Sequence, residues 1–319
     1  MTSRAERQVL AGLQADPGTG VNVDTALRAT CSLRPAVVKI HPDEDIGSFA
    51  PARHYIGQIM PEGSIILDGT YEQCLVLLAM ALGTVSPGAG PPYLWTFDLP
   101  DVVGDLNAFS LWTVEYTDGG DQVIRAEDVF AKSLTISGEA GQGWIFEAEL
   151  DGGETTIPAA VSASPALDDT VTPIRMAETT LWVDTTYAGI GVTQVEELIS
   201  FTWKIEELQH SKQFAGSLYP NGRGNAKYKL SLELILEMEA AEAHTFANAL
   251  LATTQYAVQV KGLVDANDFI KLDGMYIVEE ISTLDDRDGN NTIKISLLGE
   301  KDSADNTAEV LVTTDVAAL

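Results

Sequence analysis

The stretch that most limits what this chain can fold into runs from Thr70 to Gly83, TYEQCLVLLAMALG. Beyond Gln73 every residue through Leu82 is apolar or small. A helix that is apolar around its whole circumference has no face to give to water and must be covered on all sides. At roughly a dozen residues it falls far short of the ~20 that cross a bilayer. It is therefore a core helix, covered by β-structure or by a neighbouring subunit. Thr70 and Gln73 have the Thr-x-x-Gln spacing of a capping box, in which each side chain satisfies a free amide at the helix start. Gly83 is a natural residue just past the helix end. Upstream, two short apolar strand candidates meet at Pro61-Glu62-Gly63, which reads as a turn.

A chain of 319 residues has room for one large domain or two of ordinary size. Its formal net charge is −28, from 19 basic and 47 acidic residues. A grip on nucleic acid or on an anionic membrane needs a positive footprint, so both are excluded. The acidic surplus serves solubility, or suits a surface that lies beside a polyanion without holding it. The N-terminal MTSRAERQVLAGLQADPGTG has no continuous apolar core of a signal peptide, and no run elsewhere is long enough to span a membrane. This predicts a cytosolic start, compatible with release by lysis. Cys31 and Cys74 are far apart in sequence and read as free thiols in a reducing compartment.

The organisation repeats. Residues 1–34 are polar and read as an extended arm, and residues 35–155 as a first β domain. Within it, Ala36–Ile40, Tyr93–Leu99, Phe109–Thr117, Val129–Ser137 and Trp144–Leu150 are strand candidates. Trp112, Val114 and Tyr116 alternate with Thr113, Glu115 and Thr117, the period of a half-buried strand. Residues 156–175, rich in Pro, Thr, Ala and Asp, read as a linker. A second β domain then spans 176–300. Phe201, Trp203 and Ile205 alternate with Thr202, Lys204 and Glu206, and Tyr228 to Leu236 forms the cleanest strand face. Ala243, Phe246, Ala247, Leu250 and Leu251 have helical spacing, and strands follow at Tyr256–Val264, Met275–Leu284 and Ile293–Leu298. Residues 301–319 form a polar C-terminal tail. Both halves read strand, long loop, strand, helix, then antiparallel strands, which points to a mainly β (α+β) protein of tandem β-sandwich or barrel domains, each with one packed helix.

No constellation for catalysis emerges. His41, His54, His210 and His244 sit in different elements without metal-ligand spacing. Gly138, Gly141 and Gly143 lie between two strands, where glycines serve a hairpin, and there is no Walker lysine or nucleophile elbow. Asp285, Asp286, Asp288 and Asn290 resemble a calcium loop in composition, but no Gly and Glu stand at its sixth and twelfth positions. The reading is no enzyme, no cofactor and no metal. The segment from Leu208 to Asn225 exceeds the usual hairpin length, and its Gly216, Gly222 and Gly224 make it costly to order alone. It is expected to order against a neighbouring subunit, with Lys212, Leu218, Tyr219, Asn221, Arg223 and Lys227 as contact residues and Arg223 on an acidic partner.

Taken together, the arm with Gly18-Thr19 leading into PAVVKIHPDEDIG, the stretch PEGSIILDGTYEQCLVLLAMALG, the strands YLWTF and FSLWTVEYTDG, and the order of the second half resemble the major tail tube proteins of long-tailed bacteriophages. The resemblance covers roughly Gly18 to Glu300. It implies β-sandwich subunits whose strands join across neighbours into a barrel, rings that stack into a hollow tube, and DNA passing through the lumen. It also implies a virion tail component, assembled in the host cytoplasm, with tape measure and tail terminator or tip proteins as partners. Tandem members resemble fused pairs that form three-membered rings of pseudo-sixfold symmetry; single-domain members form hexamers, the alternative here. Glu147, Glu149 and Glu206 are candidates for charge facing the lumen, where DNA is in transit and not bound. Other readings are a terminator or tail-tip component of similar fold, or a carbohydrate-binding β-sandwich adhesin.

Overall fold

The structure, a computed structural model, describes residues 7–43, 53–99, 110–117, 122–158, 160–207, 209–237, 248, 254–287 and 290–319. From the N-terminus these form strands β1 (Gln8–Gln14), β2 (Thr25–Leu27), β3 (Ala29–Cys31), β4 (Arg34–Ile40) and β5 (Tyr55–Asp68). Helix α1 (Cys74–Leu82) follows, then β6 (Tyr93–Asp98), β7 (Leu111–Thr117), β8 (Val123–Glu139), β9 (Trp144–Asp151) and β10 (Thr155–Thr156). Beyond residue 178 come β11 (Thr179–Asp184), β12 (Gln194–Val195), β13 (Leu198–Glu206), β14 (Gln209–Lys212), β15 (Gly222–Asn225) and β16 (Lys229–Glu237). The chain ends with β17 (Gln255–Leu263), β18 (Phe269–Ile281), β19 (Asp285–Arg287), β20 (Asn290–Gly299) and β21 (Ala308–Thr314). The fold is mainly β, as expected. The second helix expected around Ala243–Leu251 lies, apart from residue 248, outside the described residues.

Every residue of α1 is buried, as its all-round apolarity requires. It packs on β8, β9 and β6. Half of the expected capping box forms: the Gln73 N–H donates to Thr70 Oγ1 at 3.2 Å. The Gln73 side chain turns outward instead, accepting from the Arg28 N–H at 3.0 Å and donating to the Ala26 carbonyl at 3.3 Å. It thereby joins the helix start to β2. Gly83 closes the helix at φ 93°, its N–H on the Ala79 carbonyl at 3.0 Å.

One strand-pairing order occurs twice. In the first half β2 lies on β1, β1 on β7, β7 on β8, β8 on β9, β9 on β5, and β5 on β3 and β4. In the second, β12 lies on β11, β11 on β17, β17 on β18, β18 on β20, β20 on β16, and β16 on β13. All these pairings are antiparallel. Even an irregularity recurs: the register slips between Ala131 and Ser133 where β8 meets β9, and between Val278 and Glu280 where β18 meets β20. The halves are joined by β8 and β13, which pair from Ser200↔Glu139 to Glu206↔Ser133. One hydrophobic core runs through both. At its centre Trp144 of the first half meets Phe201 of the second edge-on, with ring centroids 4.7 Å apart.

Several expectations from the sequence are corrected. Pro61-Glu62-Gly63 is no turn but the middle of β5, where the strand passes from its pairing with β4 to its pairing with β9. Glycine is required there because a Cβ on Gly63 would lie 2.7 Å from the Ser32 backbone. The N-terminal stretch holds a buried strand, β1, paired along its length with β7. The C-terminal stretch holds β21, which lies between β6 of the first half and β18 of the second. The Pro-Thr-rich connection is docked rather than free: Ile174 is fully buried, and its carbonyl accepts from the Trp144 N–H at 2.9 Å. Strand β7 is buried on both faces instead of one. Its Glu115 is fully buried, with Oε1 held by Arg125 at 3.0 Å and Oε2 by the Ser162 N–H at 2.9 Å.

Candidate functional site

Strand alternation sorts the residues of the large sheet onto two faces. On β13, Phe201, Trp203 and Ile205 are buried while Thr202, Lys204 and Glu206 are not. The same parity holds along β9 and β16. The outward residues line up in rungs across strands. One rung is Glu147, Thr135, Lys204 and Ser231; the next is Glu149, Ser133, Glu206 and Lys229. Glu147, Glu149 and Glu206, from both halves of the chain, are thus brought onto one continuous polar face.

Three basic residues of this face sit on carboxylates. Lys132 Nζ is 3.3 Å from Glu149, Lys204 Nζ is 2.5 Å from Glu206, and Lys294 Nζ is 2.9 Å from Glu233. At this exposure each pair adds little to stability. Their effect is electrostatic: positive charge is masked locally, and hydroxyls and glutamates dominate what the face presents.

The segment after β13 is more ordered than its glycines suggest. It forms the β14–β15 hairpin, paired from Gln209↔Asn225 to Lys212↔Gly222, and folds back on its own chain. The Leu218 carbonyl accepts from the Ile59 N–H at 2.8 Å, and the Ser211 N–H donates to Asp151 Oδ2 at 3.0 Å. Within the tip, Asn221 Oδ1 accepts from the Phe214 N–H at 3.0 Å, and the Tyr219 N–H donates to Ser217 Oγ at 3.0 Å. The Arg223 guanidinium lies 5.8 Å from the Phe130 ring centroid. Burial lowers its pKa, and the nearby charge of Asp128 opposes that shift. An acidic group beside Arg223 thus lies in the same chain. Lys227 is exposed in the short link to β16.

Two features escaped the sequence reading. His41 and His54 face each other across the β4–β5 ribbon with ring centroids 5.6 Å apart. Asp273 is buried on β18, its Oδ1 accepting from Gln259 Nε2 at 2.7 Å. Burial pushes its carboxyl up to about 6, against the pull of that hydrogen bond and of Lys271. Among the described residues no group of three or more His, Cys, Asp or Glu is placed to hold a metal ion, and no helix is long and apolar enough to cross a membrane. Cys31 and Cys74 are both free thiols.

The family model for "Phage tail tube protein" matches residues 5–296. The chain belongs to the phage tail tube protein family. It is a structural component of the virion tail, and tail tube proteins assemble with themselves into stacked tubes. The match includes β1 and ends within β20, so β21 lies beyond it. No curated protein matches. A solved structure of the SPP1 tail tube is similar at 16% identity, over 46% of this chain and 82% of that one, with a TM-score of 0.30; the family assignment does not rest on it.

Proposed function

We propose that three copies of this tail tube protein close into a ring that presents six equivalent sheet segments, and that rings stack into a conduit for DNA. The observation that carries this reading is the repeated strand order joined by the β8–β13 pairing. One chain then contributes two tube-like units, the first formed by 35–155 together with β1, β2 and β3 and the second within 176–300, whose polar faces are already continuous. That face, with Glu147, Glu149 and Glu206, is assigned to the lumen. A wall of hydroxyls and carboxylates, with Lys132, Lys204 and Lys294 drawn onto glutamates, gives a passing polyanion little at which to rest. The role is structural and non-enzymatic, with no cofactor. Lys212, Leu218, Tyr219, Asn221, Arg223 and Lys227 are assigned to contacts with neighbouring chains, and the tape measure and terminator or tip proteins to the tube's interior and ends.

Electron microscopy of assembled protein tests the ring. Threefold symmetry with six similar lobes is expected. Six full chains per ring, or a monomer that stays dispersed at high concentration, overturns it.

A further inference from the structure

The repeat leaves one position unmatched. On one side of β8 lie β7 and then β13; on the other lie β10 and then β9. On β18 the corresponding neighbours are β17 on one side, and β21 and then β20 on the other. No described strand occupies the place on β18 that β13 takes on β8, because β17 pairs no further than Ile277. The counterpart of β13 in the first half is the β3–β4 segment, and β4 pairs with β5 alone among the described strands.

We propose that the open edge of β18 in one copy takes the open edge of β3 and β4 of the next copy, in the register that β8 and β13 have inside the chain. This rests on the tube reading above and names the seam between its subunits. The register follows from two matched rungs. Cys31, Ile65, Ala148 and Leu134 form one; Phe201, Leu234, Ile295 and Ile281 form its counterpart. Inside the chain Leu134 is met by Ile205, four residues beyond Phe201. Ile281 is then met by Pro35 of the next copy, four residues beyond Cys31. Thr283 falls opposite Leu33, Ser282 opposite Arg34, and Glu280 opposite Ala36.

The backbone is aimed for this. The Ser32 N–H donates to the Ser64 carbonyl at 3.0 Å, which turns even positions of this segment toward β5 and odd positions outward. Leu33, an outward position, has its N–H on Cys31 Sγ at 3.3 Å, a weak acceptor. The Ser282 N–H is turned inward to the Lys294 carbonyl at 2.9 Å, so Ile281 and Thr283 face out. Pro35 removes one donor from the seam, a residue that strands accept at their edges. Charge fits as well. Glu279 and Glu280 are exposed on one edge, and on the other Lys39 is exposed and Arg34 lies 3.0 Å from its own Glu62. The contact is heterologous, with different edges meeting, and so joins copies head to tail rather than as a two-fold dimer, the kind of contact a ring needs.

Positions 34 and 282 form a non-hydrogen-bonded pair in this register, with Cα atoms about 4.5 Å apart, close enough for a disulfide. Tubes of the R34C/S282C variant, oxidised and run on a non-reducing gel, are expected to lose most of the monomer band to species of two and three chains. Each single variant stays monomeric on the gel, and the pair R34C/T283C, one residue out of register, cross-links several-fold less. K204C/T135C, the same pair inside the chain, oxidises without joining chains. Should R34C/S282C fail to assemble, A36C/E280C on the adjacent rung is read in its place. Neither pair cross-linking, while the unsubstituted protein forms tubes and the in-chain pair oxidises, overturns the seam. An unsubstituted protein that never forms tubes overturns the tube reading itself.

Discussion

The two halves of the chain share their backbone pairings and differ in what the pairings carry. On β8, Ala126 lies between Val114 of β7 and Thr155 of β10. The matching rung of the second half places Asp273 between Gln259 of β17 and Glu309 of β21. The loops leaving the equivalent strand pairs differ too. Between β4 and β5 the strands run on as a ribbon that exposes Val37, Val38, Ile40, Tyr55 and Ile56. Between β13 and β16 the chain folds back as the β14–β15 hairpin and hydrogen-bonds the ribbon's own Ile59. The ribbon is left exposed, and the hairpin supports it. A duplicated ladder can therefore keep its hydrogen-bond geometry while its side chains are reassigned, because the ladder is made by main-chain groups.

The largest contrast to break is the exposed ribbon. Five large apolar side chains exposed on one ribbon of a self-assembling chain mark a contact. I40S/Y55S/I56S is expected to abolish tubes while leaving the melting temperature of the dispersed protein within a few degrees, since exposed substitutions change stability by only about 0.5 kcal/mol. Normal tubes in micrographs of the variant would remove the ribbon from the assembly.

The charged rung gives the next effect. Burial raises the Asp273 carboxyl from 3.8 to about 6, so between those values the folded chain keeps a proton the unfolded chain has lost. This contribution is largest at low pH and is lost as pH rises through about 6. D273N removes the charge and keeps an acceptor for Gln259. At pH 8 it is expected to be more stable than the parent by up to about 3 kcal/mol, a figure that already includes the attraction to Lys271 and Lys261. The advantage should vanish by about pH 4. Melting curves at both pH values decide, and an equal gain at both would mean that Asp273 is not the titrating group.

The smallest effect sharpens the hairpin's role. R223A removes the cation stacked on Phe130 and is expected to cost about 0.5–1 kcal/mol in denaturant unfolding. A loss of several kcal/mol would mean that the hairpin is integral to the core rather than laid upon it.

Local pattern was legible wherever it had a period. The all-round apolar stretch at Cys74–Leu82 could only be a buried helix. The alternation at Phe201–Ile205 and Trp144–Leu150 named both the core face and the polar face, and with it Glu147, Glu149 and Glu206. What tertiary structure alone decided was non-local pairing. A polar arm became β1 because β7 offers it seven consecutive partners, and a polar tail became β21 because it fits between β6 and β18. Glu115 became a core residue because Arg125 and the Ser162 amide meet it there. Pro61-Glu62-Gly63 has the composition of a turn, yet the chain runs straight through, since β4 pairs on one side of that point and β9 on the other. Periodicity reports which side of a strand is wet; the partner across the ladder is chosen by main-chain groups that are the same in every residue but proline, and composition carries no record of that choice.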